Sequence, residues 1–153
     1  MVTVTTRIEI EAPIDLCFSL ARDIDVHTRI VWKHTKEKAV GGVTSGPIGS
    51  GQTVTFEATH FGIRQRLTSK ITAFEQPFRF TDEMQKGAFK RLRHLHEFVE
   101  QDRKTIMTDT LQFEAPLGFL GWMAERAVLR RYMQRFLEHR NEQLKQIAEA
   151  AIG

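Results

Sequence analysis

The feature that most constrains the fold is a regular alternation of apolar and polar residues on both sides of a short polar turn, between Gly87 and Trp122. A period of two is typical of β-strands, because successive side chains point to opposite faces of a sheet. One face of the first strand carries Leu92, His94, His96 and Phe98. One face of the second strand carries Met107, Asp109, Leu111 and Phe113. The segment is therefore predicted to form a long β-hairpin.

Two histidines and an aspartate lie on the otherwise apolar face of this hairpin. Polar groups that are taken out of water need hydrogen-bond partners inside the protein or a bound ligand. This face is therefore the first place to look for function.

The register of the hairpin follows from its turn. A turn over Gln101 to Lys104 places His96 opposite Asp109 and His94 opposite Leu111. Opposed residues lie about 5 Å apart at Cβ, which is close enough for a carboxylate to orient an imidazole and raise its basicity. The His96–Asp109 pair is predicted either to anchor or deprotonate a ligand, or to be a structural pair in the wall. The structural interpretation is preferred, because no nucleophile lies beside the pair.

The rest of the chain supplies further strands and three helices. The strand Thr3 to Ala12 precedes Pro13, which begins a short helix (IDLCFSLAR), and a second short helix covers Asp25 to Val31. Further strands are predicted over Lys36 to Gly42, Gln52 to His60, the stretch ending at Phe74, and PFRFTDEM. Apolar residues at helical spacing between Leu120 and Ala151 predict a long amphipathic C-terminal helix.

Length and composition indicate one globular domain over residues 1–153, since 41% of the residues are hydrophobic and 27% are charged. The one cysteine, Cys17, excludes an internal disulfide and falls in an apolar helix pattern, which predicts core packing. With no leader-like start and no apolar run of membrane-spanning length, a soluble cytoplasmic protein is expected.

Several function classes find no support in the sequence. The net charge is only +3 and the basic residues are scattered among acidic neighbours, so nucleic-acid binding is not expected. His60, Asp82 and His94 are potential metal ligands, but a sheet is expected to spread them apart, so neither metal nor cofactor is predicted. No serine or cysteine lies in a nucleophile motif, which argues against a hydrolase.

The order of elements resembles the helix-grip fold of the START-like superfamily, also called SRPBCC, over nearly the whole chain. Within it, the motifs FTDEMQKGAFKRLRHLHEF and TIMTDTLQFEAPLGFLG are similar to the polyketide cyclase/dehydrase-like ligand-binding branch. The resemblance implies an α+β fold in which a curved, seven-stranded antiparallel sheet wraps around the long C-terminal helix, with two short helices after the first strand. It also implies an internal cavity for an apolar small molecule.

The expected site residues follow from this cavity and from the alternation of the strands. Expected ligand-binding residues of the sheet are Phe56, Leu67, Phe80, Asp82, Leu92, His94, His96, Phe98, Met107, Asp109 and Leu111. Those of the C-terminal segment are Trp122, Met123, Tyr132, Met133 and Phe136. His96 and Asp109 are the catalytic residues if the protein is an enzyme.

Two function classes remain open at this point. The preferred one is non-catalytic binding or carriage of a lipid, quinone or polyketide-like molecule. The alternative is a cyclase/dehydrase-type enzyme that uses His96 and Asp109 for proton transfer, and a regulatory interaction module is a weaker third. The expected partners are a hydrophobic small-molecule ligand and a second copy of the chain in a weak homodimer, without stable membrane insertion.

Overall fold

The computed structural model describes residues 1–115 and 128–152 of the chain. These residues form seven strands and three helices. The strands are β1 (Val2–Ile10), β2 (Lys38–Gly42), β3 (Thr53–His60), β4 (Ile63–Glu75), β5 (Arg79–Lys86), β6 (Arg91–Gln101) and β7 (Lys104–Glu114). The helices are α1 (Ile14–Ala21), α2 (Ile24–Ile30) and α3 (Arg130–Ile152). The predicted start of the last helix at Leu120 lies outside the described residues.

All seven strands join one antiparallel sheet in the order β1-β7-β6-β5-β4-β3-β2. Strands β2 to β7 follow one another as neighbours, and β1 closes the order beside β7. Helix α3 makes its most extensive helix–strand contacts with β1. The predicted α+β helix-grip architecture, with two short helices after the first strand, is therefore confirmed.

Helix α1 begins where the sequence predicts it, and α2 begins one residue before the predicted Asp25. Pro13 is extended and immediately precedes α1, whose first turn holds Asp15. Asp23 caps α2, because its Oδ1 accepts a hydrogen bond of 3.1 Å from the backbone N–H of Val26. The α1–α2 corner therefore has a definite geometry, and it forms one wall of the site described below.

The hairpin of β6 and β7 has the register that the sequence predicts. Its turn residues Asp102 and Arg103 have φ of 53° and 66°, the left-handed conformation that a type I′ two-residue turn has at both positions. His96 lies opposite Asp109, and His94 lies opposite Leu111. The two histidines and the aspartate therefore share the inner face of the sheet.

The main core lies where α1 covers the sheet. The Phe18 ring makes edge-to-face contacts with Phe74, Phe80 and Phe98, with centroid separations of 5.4 to 5.5 Å. Cys17 is fully buried in the same cluster, as predicted. In the described parts of the chain, no helix combines the length and apolarity needed to cross a bilayer.

Candidate functional site

A cavity of about 410 Å³ lies between the sheet, the α1–α2 corner and helix α3. Most of the predicted sheet residues line it, namely Phe56, Leu67, Phe80, Asp82, Leu92, His94, His96 and Leu111. From α3, the predicted residues Tyr132, Met133 and Phe136 line it as well. The volume falls within the range of small-molecule sites. The wall is largely apolar, with polar groups gathered in two places.

Three predicted sheet residues, Phe98, Met107 and Asp109, are buried but do not line the cavity. Phe98 and Met107 belong to the core cluster beneath α1 and α3, because their end of the hairpin is covered by helix side chains. Asp109 lies behind the histidines and contacts the cavity only through them and through Arg140. Trp122 and Met123, also predicted as ligand-binding, lie outside the described residues.

The first polar group is a buried network around Asp109. Its Oδ1 accepts hydrogen bonds from His94 Nε2 at 2.8 Å and from Arg140 Nη2 at 3.0 Å, and its Oδ2 accepts one from Asn141 Nδ2 at 2.7 Å. The Asn141 amide also donates to Thr6 Oγ1 at 3.0 Å. This carboxylate therefore joins β7, β6, α3 and β1.

The pairing of the histidines differs from the prediction in one respect. His96 Nδ1 does lie 3.1 Å from Asp109 Oδ1, which is within ion-pair distance. That nitrogen nevertheless has no hydrogen-bond partner, so the N–H direction is poor and the contact is mainly electrostatic. The hydrogen bond to Asp109 comes instead from His94, whereas Nε2 of His96 bonds Asp82 Oδ2 at 2.8 Å.

The carboxylates and histidines of this network have unequal proton affinities. Burial opposes ionisation of Asp109, but the charge of Arg140, the hydrogen bond from His94 and the close approach of His96 hold its pKa well below the usual range. For Asp82, burial is likewise outweighed by the hydrogen bond from His96, which lowers the pKa. Both carboxylates are therefore ionised near neutral pH.

Burial, together with the nearby charge of His96, lowers the pKa of His94 to about 4 despite the opposing hydrogen bond to Asp109. For His96, burial also acts to lower the pKa, but Asp109 and Asp82 together outweigh it and raise the pKa. His94 is thus neutral near pH 7, with its hydrogen on Nε2, whereas His96, which has a carboxylate beside each ring nitrogen, takes up a proton more readily. When His96 is protonated, two anions balance two cations, since Arg140 is the second cation.

Sequence reasoning missed Arg140 and Asn141, which are 6% and 2% exposed. A signal for them existed, because they fall beside Leu137 and Leu144 on the apolar stripe of α3 at helical spacing. Polar residues on such a stripe need buried partners. The pattern does not name those partners, which are Asp109 on β7 and Thr6 on β1.

Among the described residues, Asp82, His94 and His96 form the one group of side chains with the composition of a metal site. Their potential ligand atoms lie within 4.8 Å of one another. The expectation that the sheet spreads these potential ligands apart is therefore wrong for Asp82 and His94. The imidazole rings of His94 and His96 stack 3.8 Å apart at an interplanar angle of 25°. Lone pairs of stacked rings run side by side and do not converge on one ion, and Arg140 adds a positive charge nearby. The arrangement therefore fits a metal poorly.

The second polar group lies on another part of the wall. His27 Nε2 is 3.0 Å from Glu37 Oε1, and His60 Nδ1 is 2.5 Å from the Tyr132 hydroxyl. All four residues line the cavity. His60, which the sequence placed with Asp82 and His94, therefore belongs to a different group.

Both a protein-family model and many solved structures match this chain. The sequence model of the family described as polyketide cyclase/dehydrase and lipid transport matches residues 1–149. No curated protein sequence matches the chain at a significant level.

Many solved structures share the architecture. A protein of Thermus thermophilus has a TM-score of 0.77 at 19% identity, covering 99% of this chain and 100% of its own. A START superfamily protein from Mycobacterium smegmatis has a TM-score of 0.74 at 15% identity, covering 97% and 98% of the two chains. A major latex-like protein from Panax ginseng has a TM-score of 0.69 at 12% identity, covering 96% and 97%. At these identities the similarity establishes the fold alone.

Proposed function

The chain belongs to the polyketide cyclase/dehydrase and lipid transport family, and from that premise we propose that it binds or carries a hydrophobic small molecule between the sheet and α3. The observation that carries the proposal is an apolar cavity that ends on a buried, charge-balanced set of polar groups. Phe56, Leu67 and Phe136 supply apolar contact area for the body of a ligand.

The network around Asp109 leaves three polar atoms for the ligand. In the described part of the chain, Arg140 Nη1, His94 Nδ1 and Asp82 Oδ1 have no hydrogen-bond partner, while their residues line the cavity. The first is a donor and the other two are acceptors. A hydroxyl group of the ligand satisfies both kinds of atom, and a carbonyl oxygen satisfies Arg140.

The charge balance of the site favours a ligand whose polar group is neutral over a ligand that carries a carboxylate. The positive charge of Arg140 is already matched by Asp109 at 3.0 Å, and Asp82 presents a negative charge to the same space. A ligand anion would therefore enter a site without a spare cation, at a desolvation cost that nothing offsets.

A cyclase/dehydrase-type reaction is the alternative, and the proton affinities support it less well. Both nitrogens of His96 face carboxylates, and its pKa is raised, so it does not offer a free lone pair. His94 offers one on Nδ1, but a pKa of about 4 makes it a weak base at neutral pH. We therefore place non-catalytic binding first and proton transfer second.

The test is titration with the neutral fluorescent dye N-phenylnaphthylamine. The wild-type protein is expected to bind it saturably at one site. In Leu67→Trp the larger side chain fills the cavity, and the affinity is expected to fall about tenfold or more, a loss of roughly 1.4 kcal/mol.

Lys70→Trp is the matched control, because Lys70 lies on the same strand and is exposed. Its dye affinity is expected to equal that of the wild type. Absence of saturable binding, or an equal response of the two variants, would refute the proposed cavity site. Native mass spectrometry of the freshly purified protein would additionally reveal any ligand that it retains.

A further inference from the structure

The cavity has a second set of polar side chains, which the proposed function above does not use. It comprises Glu37 with His27, and Tyr132 with His60. The Glu37 side chain is only 7% exposed, yet His27 occupies just its Oε1. In the described part of the chain its Oε2 has no hydrogen-bond partner, although the residue lines the cavity. This carboxylate oxygen is therefore open to the cavity and can accept a hydrogen bond from a ligand.

The Tyr132–His60 pair supplies the complementary donor. Burial lowers the pKa of His60 and raises that of Tyr132, so near pH 7 both groups are neutral and hold one polar hydrogen each. One hydrogen forms the bond between Tyr132 and His60 Nδ1. The other hydrogen remains available, on the phenol or on Nε2 according to the tautomer. This end of the cavity therefore offers one acceptor and one donor, which match a hydroxyl group.

Helix α3 gives the separation of the two polar ends. Tyr132, Phe136 and Arg140 follow at intervals of four residues, and all three line the cavity. Eight residues at about 1.5 Å per residue place Tyr132 and Arg140 about 12 Å apart along the helix axis. Between them the helix presents Met133 and Phe136, which are apolar.

The sheet repeats this order of polar, apolar and polar positions. On β4, Ile63 pairs with His60, Leu67 pairs with Phe56, and Ile71 pairs with Asp82. Along β4 the apolar pair Leu67–Phe56 thus lies between the two polar positions, which repeats the order on α3 but not its spacing, because a strand rises about 3.3 Å per residue. Both walls of the cavity therefore carry polar groups at two separate positions, with apolar residues between them.

Building on the proposed function, we propose that the ligand is an elongated apolar molecule with a neutral hydroxyl-type group at each end. One group binds between Arg140, His94 and Asp82. The other binds between Glu37 and the Tyr132–His60 pair. This assignment separates the expected ligand from single-headed lipids such as fatty acids, whose distal end is apolar and would leave Glu37 Oε2 without a donor.

The test uses a series of stilbenes in isothermal titration calorimetry: unsubstituted, with one para hydroxyl, and with a para hydroxyl on both rings. For the wild type, the dihydroxy compound is expected to bind about tenfold more tightly than the monohydroxy compound. The symmetric dihydroxy compound can bind in two equivalent orientations, which alone would make its affinity about twice that of the monohydroxy compound. The shorter dihydroxybiphenyl is expected to gain less from its second hydroxyl, since it spans less of the distance.

Glu37→Gln and Tyr132→Phe test the second end with little change in shape. In each variant, the affinity for the dihydroxy compound is expected to exceed that for the monohydroxy compound by only about the statistical factor of two. Affinity for unsubstituted stilbene should stay the same. Glu57→Gln is the matched control, because Glu57 pairs with Arg64 on the exposed side of the same sheet region; it should leave the advantage intact.

The outcomes distinguish the two proposals. If all three stilbenes bind wild-type protein with affinities that differ by no more than the statistical factor, the two-ended ligand is refuted while cavity binding stands. An advantage that survives both Glu37→Gln and Tyr132→Phe also refutes it. If no stilbene binds and the dye does not bind either, the proposed function itself fails.

Discussion

His94 donates a hydrogen bond of 2.8 Å to Asp109, although the residue directly opposite Asp109 in the hairpin is His96. The bond is diagonal across the two strands, and it is possible because the two imidazole rings stack and bring both histidines close to one carboxylate. Its consequence is that the neutral His94 keeps its hydrogen on Nε2 and turns Nδ1 away from Asp109.

This pair makes stability depend on pH in a definite direction. The pKa of His94 falls from 6.5 to about 4 on folding, so between these values the unfolded chain binds a proton that the native protein does not. Acidification from pH 6.5 to 4 should therefore lower stability through His94, by up to about 3 kcal/mol. Urea unfolding at several pH values, on wild type and His94→Gln, measures this term as the difference between the two curves.

His96 acts in the opposite sense, because its pKa is raised on folding. Its stabilising contribution is present below the unfolded pKa and is lost as the pH rises through the folded value. The His94→Gln comparison removes the His94 term while His96 is present in both proteins, so the difference reports His94 together with its coupling to the stacked His96 ring. A pH-independent difference between them would show that His94 titrates normally.

Asp109→Asn should be strongly destabilising. The substitution keeps the shape but leaves Arg140 buried without its counterion, which costs about 3–5 kcal/mol for a buried pair. The His96 resonances in NMR should also titrate at lower pH, because one of the two nearby carboxylates has lost its charge. Glu9→Gln, which affects only the surface pair with Lys104, is the control and should leave both measurements unchanged.

Phe18→Ala should cost about 3–5 kcal/mol of unfolding free energy. Its ring is fully buried and contacts three other phenylalanines, so its loss leaves a cavity beneath α1. Phe78→Ala removes the same atoms from a half-exposed position and should cost far less. Similar chemical-denaturation midpoints for the two variants would contradict the described core.

Arg103→Gly should stabilise the protein by roughly 1 kcal/mol, because the residue has φ of 66°, which glycine adopts without strain. The arginine side chain is exposed and belongs to no ion pair among the described residues, so little is lost with it. Gln101→Gly, one position before the turn in β6, is the contrasting variant and should destabilise. Thermal denaturation of both variants measures the difference.

The hairpin shows how far local pattern alone can predict structure. Alternation with a period of two identifies the inner face of β6 and β7, and a two-residue turn leaves a single register, so the opposition of His96 and Asp109 follows without knowledge of the rest of the fold. The same local rules predict α1, α2 and the long last helix, since the helix start at Pro13 and the apolar stripes act over only a few residues.

The hydrogen bonds made by each polar residue were decided only by the tertiary structure. Register places His96 across from Asp109, but rotamers and ring stacking give the hydrogen bond to His94 and direct His96 to Asp82 on the next strand. Arg140 and Asn141 approach Asp109 from 31 and 32 residues away, and Glu37 meets His27 from 10 residues away. Which faces of the strands and helices are apolar could be read from the sequence, because periodicity is a local property. The packing of α3 and α2 against the sheet decided which polar groups share the cavity, because those contacts depend on how distant elements pack.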